Sequence, residues 1–308
     1  MSALAPADGS AEDGVEESRT REAAADALAA AVAHVRAGGL LAFPTETVWG
    51  LGADARSEAA LARLRRWKGR SAGQPVAVLV ASAESAQALG LPLHGAAQRL
   101  AAAFWPGPLT LVVPAPPDRF AAGVARADGA VGLRCSSHPR TAALVAALER
   151  AGVGPLTATS LNRHGEPPVR TRTEALALCR GDAAPRCFEL DDAARTDAAR
   201  TDATRTDADY TDADREDAAR DAAARKDTAG AAAAGAQRAG GDLERAASAP
   251  TPPSTVVDCT GPRPVVLRPG PLTPATLERV LGERVSCERL PGAGAPDARS
   301  PDQEIPSP

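Results

Sequence analysis

The sequence predicts an α/β fold: a single domain with a twisted, partly mixed sheet flanked by helices. Two observations carry this. Short apolar runs of strand length alternate with longer stretches whose apolar residues recur at helical spacing. Several of these runs are very short and bounded by Pro, which fits a mixed sheet better than a regular doubly wound one. A third observation limits the extent of the fold. Residues 1–22, 193–253 and 291–308 consist mainly of small, charged, Pro and Gly residues. They carry too few large apolar side chains to offset the entropy lost on ordering, and all three are expected to be disordered. About 210 of the 308 residues remain, enough for one sizeable core. The domain is therefore expected in two stretches, 23–192 and 254–290, around an inserted segment.

The elements follow in order. Residues 23–37 form an Ala-rich helix stopped by Gly38-Gly39. A strand, Leu40–Phe43, leads into Pro44-Thr45-Glu46-Thr47-Val48-Trp49-Gly50-Leu51-Gly52. Ser57 caps a helix through Leu61, Leu64 and Trp67 that ends at Lys68-Gly69-Arg70. Strands are predicted at 75–80, 109–113, 131–134, 156–159, 187–190, 254–258 and 265–267. Helices are predicted at 82–89, 95–104, 138–150, 173–180 and 274–281. Between 193 and 217 an imperfect five-residue repeat (ARTDA, ARTDA, TRTDA, DYTDA) lacks the large apolar residues a packed helix needs.

Charge and cysteine usage narrow the class. The net charge is −4, but residues 1–22 hold two Arg against six acids, and 193–253 nine Lys/Arg against twelve. The foldable part is thus basic by about three charges, which suits a phosphate ligand, an RNA surface or an ordinary mixed surface. The five cysteines include no CxxC pair, and no apolar run is long enough for a signal peptide or a membrane span. A soluble cytoplasmic protein without a cysteine zinc site and without membrane partners is expected.

Several chemistries are excluded by their missing motifs: GxGxxG after a strand, GxxxxGK[ST] and HExxH are all absent. What remains is a set of polar residues at strand exits, where binding sites of open α/β sheets gather. Thr45-Glu46-Thr47 reads either as a capped turn or as a pocket wall. Lys68 and Arg70 read either as a solvated helix end or as a phosphate clamp. Arg134 ends the apolar strand Val131–Arg134 and faces either a carboxylate ligand or an internal acid. His138 reads as a helix-start residue rather than a base. Ser160 and Asn162 could bond phosphate or ribose oxygens or simply form a turn, and Arg268 in Arg268-Pro269-Gly270 reads either as a phosphate-reaching Arg at a strand exit or as an ordinary surface Arg. Together they describe a pocket of cations and hydroxyls without a nucleophilic triad. Such a pocket suits adenylyl or phosphoryl chemistry driven by positioning and charge stabilisation.

In the order FPTETVWGLGADA (43–55), KGR (68–70), WPGPLT (105–110), VGLR (131–134), SLNRHG (160–165), STVVD (254–258) and LRPG (267–270), the chain resembles the YrdC/Sua5 family of threonylcarbamoyl-AMP synthases. The resemblance spans about 23–192 and 254–282. It implies a concave, positively charged α/β domain. It also implies formation of threonylcarbamoyl-adenylate and pyrophosphate from L-threonine, bicarbonate and ATP, with Mg2+ accompanying the ATP, in service of the t6A modification of tRNA. The product would pass to a threonylcarbamoyl transferase complex. Position by position, the resemblance assigns Thr47, Arg134 (for the carboxylate) and Ser254 to L-threonine, and Lys68 and Arg70 to the ATP phosphates or the carbamate. It assigns Ser160 and Asn162 to the nucleotide and Arg268 to its phosphates.

The chain departs from the family pattern at Trp49, where Tyr is usual, and at Gln74 and Leu79, where an Asn and a substrate-contacting His are usual, so no role is carried to Gln74 or Leu79. Leu161 likewise replaces the usual Ala between Ser160 and Asn162. The insertion before STVVD is expected to be either a tolerated linker or a mobile lid. The missing extra domains of longer members point to the short, stand-alone bacterial type. Two rival readings are a non-enzymatic module for double-stranded RNA or tRNA, and a carbamoyl-adenylating enzyme with another substrate. The aromatic content of 3% argues against an RNA-stacking sheet.

Overall fold

The computed structural model describes residues 10–69, 74–188 and 252–288. The expectations placed on 1–9, Arg70, most of the 193–253 insertion and the 291–308 tail lie outside the described residues. Ten strands form one mixed sheet in the order β10-β9-β8-β4-β5-β3-β6-β2-β1-β7. They are β1 (Leu41–Phe43), β2 (Gly50–Gly52), β3 (Ala77–Leu79), β4 (Leu109–Pro114), β5 (Ala130–Arg134) and β6 (Thr157–Ser160), followed by β7 (Arg186–Cys187), β8 (Thr255–Asp258), β9 (Val265–Arg268) and β10 (Ser286–Cys287). The helices are α1 (Ser10–Arg36), α2 (Glu58–Lys68), α3 (Ala83–Ala88), α4 (Gly95–Phe104), α5 (Pro139–Arg150), α6 (Arg172–Leu178) and α7 (Pro274–Leu281).

Two of these strands are absent from the sequence reading. β2 is Gly-Leu-Gly and β10 is a two-residue polar pair, so neither carries a strand pattern. α1 also starts at Ser10, well before the expected boundary at 23, so residues 10–22 are helical rather than disordered. The reason is propagation: the helix is anchored by buried Ala31, Val32 and Val35, and each added residue of an Ala/Glu/Arg-rich stretch gains one hydrogen bond at low cost.

Period-2 alternation sorts the central strands onto two faces. Leu109, Leu111, Val113, Val131, Leu133, Val257 and Val266 point into a large core that also receives Leu61, Leu64 and Trp67 of α2, Leu100 of α4 and Leu277 of α7. On the opposite face, α1 and α5 cover only part of the sheet, packing Val35, Leu144 and Leu148 against Leu41, Phe43, Leu79 and Leu156. The other side of those central strands lines an open cleft, with Thr110 and Val112 of β4, Gly132 and Arg134 of β5, and Ser254 and Val256 at β8.

Candidate functional site

The cleft wall at the end of β1 is a loop organised by its own side chains. The Thr45 hydroxyl donates to the Val48 carbonyl (2.6 Å) and accepts from the amides of Thr47 (3.2 Å) and Val48 (3.3 Å). The Thr141 hydroxyl of α5 donates to the Pro44 carbonyl and fastens this turn to the helix layer. Arg134 then reaches in from the end of β5. One of its amino nitrogens, Nη2, donates to Thr45 Oγ1 (3.1 Å), Glu46 Oε1 (3.0 Å) and Thr47 Oγ1 (2.7 Å). The Ser136 hydroxyl closes the network on the other Glu46 oxygen at 2.5 Å. Burial by itself would raise the Glu46 carboxyl, but the Arg134 charge and the Ser136 hydrogen bond outweigh it and hold the group below its ordinary value. Arg134 is 8% exposed, and its Nε–H is buried with no hydrogen-bond partner. A buried guanidinium with an unspent donor in a cleft is suited to an incoming anion.

At the neighbouring strands, Ser254 Oγ shares a hydrogen bond with Thr110 Oγ1 (2.9 Å) and accepts from Arg268 Nη2 (3.0 Å). Arg268 also donates through Nε and Nη2 to the Ser254 carbonyl (3.1 and 2.9 Å). The following turn is pressed onto this strand. A Cβ on Gly270 would meet Thr255 N at 2.4 Å and Pro253 O at 2.5 Å, so the backbones approach as only glycine allows.

Lys68 has a different place from the one its position at a helix end suggests. It is fully buried, and its ammonium donates to the Ser160 carbonyl (2.5 Å) and to the carbonyl and side-chain Oδ1 of Asn162 (both 3.1 Å). Asn162 Oδ1 also accepts from Ser160 Oγ (2.6 Å), while its Nδ2 donates to the carbonyls of Arg163 (2.9 Å) and Glu166 (2.6 Å). Arg163 stacks over the Trp67 ring at 4.2 Å and donates to the Trp67 carbonyl, and the His164 amide donates to the Lys68 carbonyl at 2.8 Å. The 160–164 loop and the end of α2 are thereby locked together.

Among the sequence-predicted residues, Arg134, Ser160, Ser254 and Arg268 line one cleft, and Thr47 touches Arg134 directly. Lys68 and Asn162 lie beneath its edge as braces, and Arg70 is outside the described residues. Trp49 is 3% exposed and lies in the larger core while also lining the cleft. Leu79 is a core residue and Gln74 is exposed. Cys135, next to Arg134, is no nucleophile: burial pushes its thiol up to about 12, with Glu46 adding to the effect.

Sequence reasoning missed the far end of the cleft. There Arg126 donates to Asp258 Oδ2 (2.5 Å), and through Nε and Nη2 to the two oxygens of Asp128 (2.9 and 2.5 Å). Asp258 closes the STVVD run, but Arg126 sits in a stretch with no motif, and its partner is 132 residues away.

Three comparisons with known proteins bear on the family and the fold. The Sua5/YciO/YrdC family model, described as telomere recombination, matches residues 33–184. A Stenotrophomonas maltophilia protein named threonylcarbamoyl-AMP synthase is 43% identical over 151 residues, which are 48% of this chain and 77% of that protein. The crystal structure of P. abyssi Sua5 complexed with L-threonine superposes with a TM-score of 0.55 at 27% identity, covering 85% of this chain and 58% of that one. E. coli YciO gives a TM-score of 0.51 at 18% identity, covering 79% and 89%, a likeness of fold alone.

Proposed function

Because the chain belongs to the Sua5/YciO/YrdC family, we propose that it is a threonylcarbamoyl-AMP synthase, joining L-threonine, bicarbonate and ATP into threonylcarbamoyl-adenylate with release of pyrophosphate. The observation that carries the reading is the Arg134 guanidinium, oriented by Thr45, Glu46 and Thr47, on a side chain that lines the cleft and keeps a buried, unpartnered Nε–H. An amino-acid carboxylate supplies the acceptor this donor lacks.

In this reading Arg134 takes the threonine carboxylate, and the hydroxyls of Thr47 and Ser254 orient the substrate. The threonine amine forms a C–N bond to the carbon of bicarbonate-derived CO2 and loses a proton, giving a carbamate. A carbamate oxygen attacks the α-phosphorus, and the bond to the bridging oxygen of pyrophosphate breaks. Lys68 and Asn162 brace the loop that presents Ser160, while Arg70 and Arg268 stabilise phosphate charge.

Mg2+ enters with ATP as part of the substrate. Among the described residues no group of three His, Cys, Asp or Glu could hold a resident ion, and the Glu46 carboxylate is already engaged by Arg134 and Ser136. The product is a mixed anhydride prone to hydrolysis. It is handed to a threonylcarbamoyl transferase complex acting on tRNA, which places the reaction in the cytoplasm. Among the described residues no helix is long and apolar enough to cross a membrane.

The test is pyrophosphate release by the full chain with ATP, Mg2+ and bicarbonate, with and without L-threonine. Threonine-dependent release is expected, and its absence refutes the proposal. Arg134→Ala should raise the threonine KM by about tenfold or more, the value of one charge-assisted hydrogen bond. An unchanged KM removes Arg134 from the role.

A further inference from the structure

An apolar groove lies outside the cleft and shares no lining residue with it. It runs between α1 and the last turn of α5. Leu28 and Val32 of α1 form its floor with Ala147 of α5. Arg36 and Arg150, the last residues of the two helices, stand at one end of it. Arg36 reaches across, donating from Nη2 to the Ala151 carbonyl at 3.1 Å.

The α1 wall of the groove is the exposed face of that helix. Ala25, Ala29 and Ala33 are exposed there, each about one turn after the last. The same face carries Glu22 before Ala25 and Arg36 after Ala33, and both are exposed. At 3.6 residues per turn the five positions stay within a sector of about 80°. Their spacing, 3, 4, 4 and 3 residues, reads the same from either end, with Ala29 at the centre. The two ends differ only in sign, one an acid and the other a base. Among the described residues neither Glu22 nor Arg36 is ion-paired, and Arg150 is not either. Such a face is complementary to itself turned end for end, the condition that a two-fold interface imposes. In an antiparallel pair with Ala29 on the axis, Ala25 meets Ala33 of a second copy. Glu22 meets Arg36 of that copy, and the reciprocal pair forms at the other end. Alanine at the three central positions lets the helix axes approach to about 8 Å over a paired length of about 21 Å. A parallel pair would instead set Glu22 against Glu22 and Arg36 against Arg36.

We propose that the exposed face of α1, with the edge of α5 beside it, is a two-fold interface through which two copies of this chain associate. The apolar centre supplies the contact area, and the charged ends set direction and register. The contact is smaller than a standard interface, so the dimer is reversible. This inference is independent of the reaction proposed above.

Sedimentation equilibrium of the full chain across micromolar concentrations tests it, and a monomer–dimer equilibrium is expected. Because the two-fold repeats every substitution, Glu22→Arg turns two attractions into two repulsions and should weaken the dimer about tenfold or more. Arg36→Glu should do the same. The chain carrying both changes should regain the dimer, with ion pairs of reversed sign. Ala29→Lys sets two long side chains of like charge at the axis and should abolish the dimer; it supplies the answer if the Arg36 variants lose the end of α1. A chain that stays monomeric throughout overturns the proposal. So does a dimer indifferent to Glu22→Arg and Ala29→Lys, which would put the contact on another face. A double variant as weak as the single ones overturns the antiparallel register.

Discussion

Glu46 shows how one side chain serves both stability and binding geometry. Its carboxylate bridges Arg134 and Ser136, which lie 88 and 90 residues further along the chain. It thereby keeps a buried guanidinium compensated and aimed. Because its folded pKa is depressed, its stabilisation is complete above the ordinary value of 4.5 and is lost as the pH falls through the lower folded value. Glu46→Gln should therefore unfold more easily than the parent at neutral pH, by on the order of 2 kcal/mol. The difference should shrink as the pH falls below 4.5 and the parent carboxylate becomes protonated. Urea titrations of both proteins across that range check this; a difference independent of pH would contradict the assignment. The residue types at 45–47 were legible as chemistry in the sequence, but their shared partner was not, since nothing local links position 46 to 134.

At the scale of elements, the cleft depends on how tightly the turn after β9 packs on the entry to β8. Gly270 lies against the Ser254–Thr255 backbone, and the Thr255 hydroxyl ties the same turn by donating to the Leu272 carbonyl (3.1 Å) and accepting from its amide (2.9 Å). Gly270→Ala must push Ser254 away from Thr110 and Arg268. The expected result is a stability loss of about 1–3 kcal/mol, as for overpacking in a core, together with a raised threonine KM. A variant with normal KM would show that Ser254 does not orient the substrate. The strands carrying these residues were predictable because β4, β5 and β8 alternate core apolar residues with cleft-facing ones. β2 was not, because Gly50 and Gly52 are dictated by space rather than propensity: a Cβ at Gly50 would strike the Phe43 ring at 2.3 Å.

At the scale of the molecule, the chain leaves the sheet at its edge, β7, and re-enters at β8, with six strands between them. At ~4.8 Å per strand the crossing would be about 34 Å in a flat sheet, roughly ten fully extended residues. Excising 195–250 would leave only 189–194 and 251–253 to make it, so a connection of about twenty flexible residues is the cleaner replacement for 189–251. If the inserted segment is a linker, this variant keeps its KM values for ATP and threonine; a several-fold rise in either would identify a lid.

The sequence by itself determined the α/β class, most of the strands and helices, and the family, because apolar periodicity and contiguous motifs are local properties of a chain. It also supplied the chemical types of the site, with Arg134, Ser160, Ser254 and Arg268 all found on one cleft. Only the tertiary structure decided the strand order, the burial of Lys68 as a brace rather than a surface cation, and the pairing of Arg126 with Asp258. Each of these joins residues distant in sequence, and a side chain's environment is set by the partners that folding brings to it.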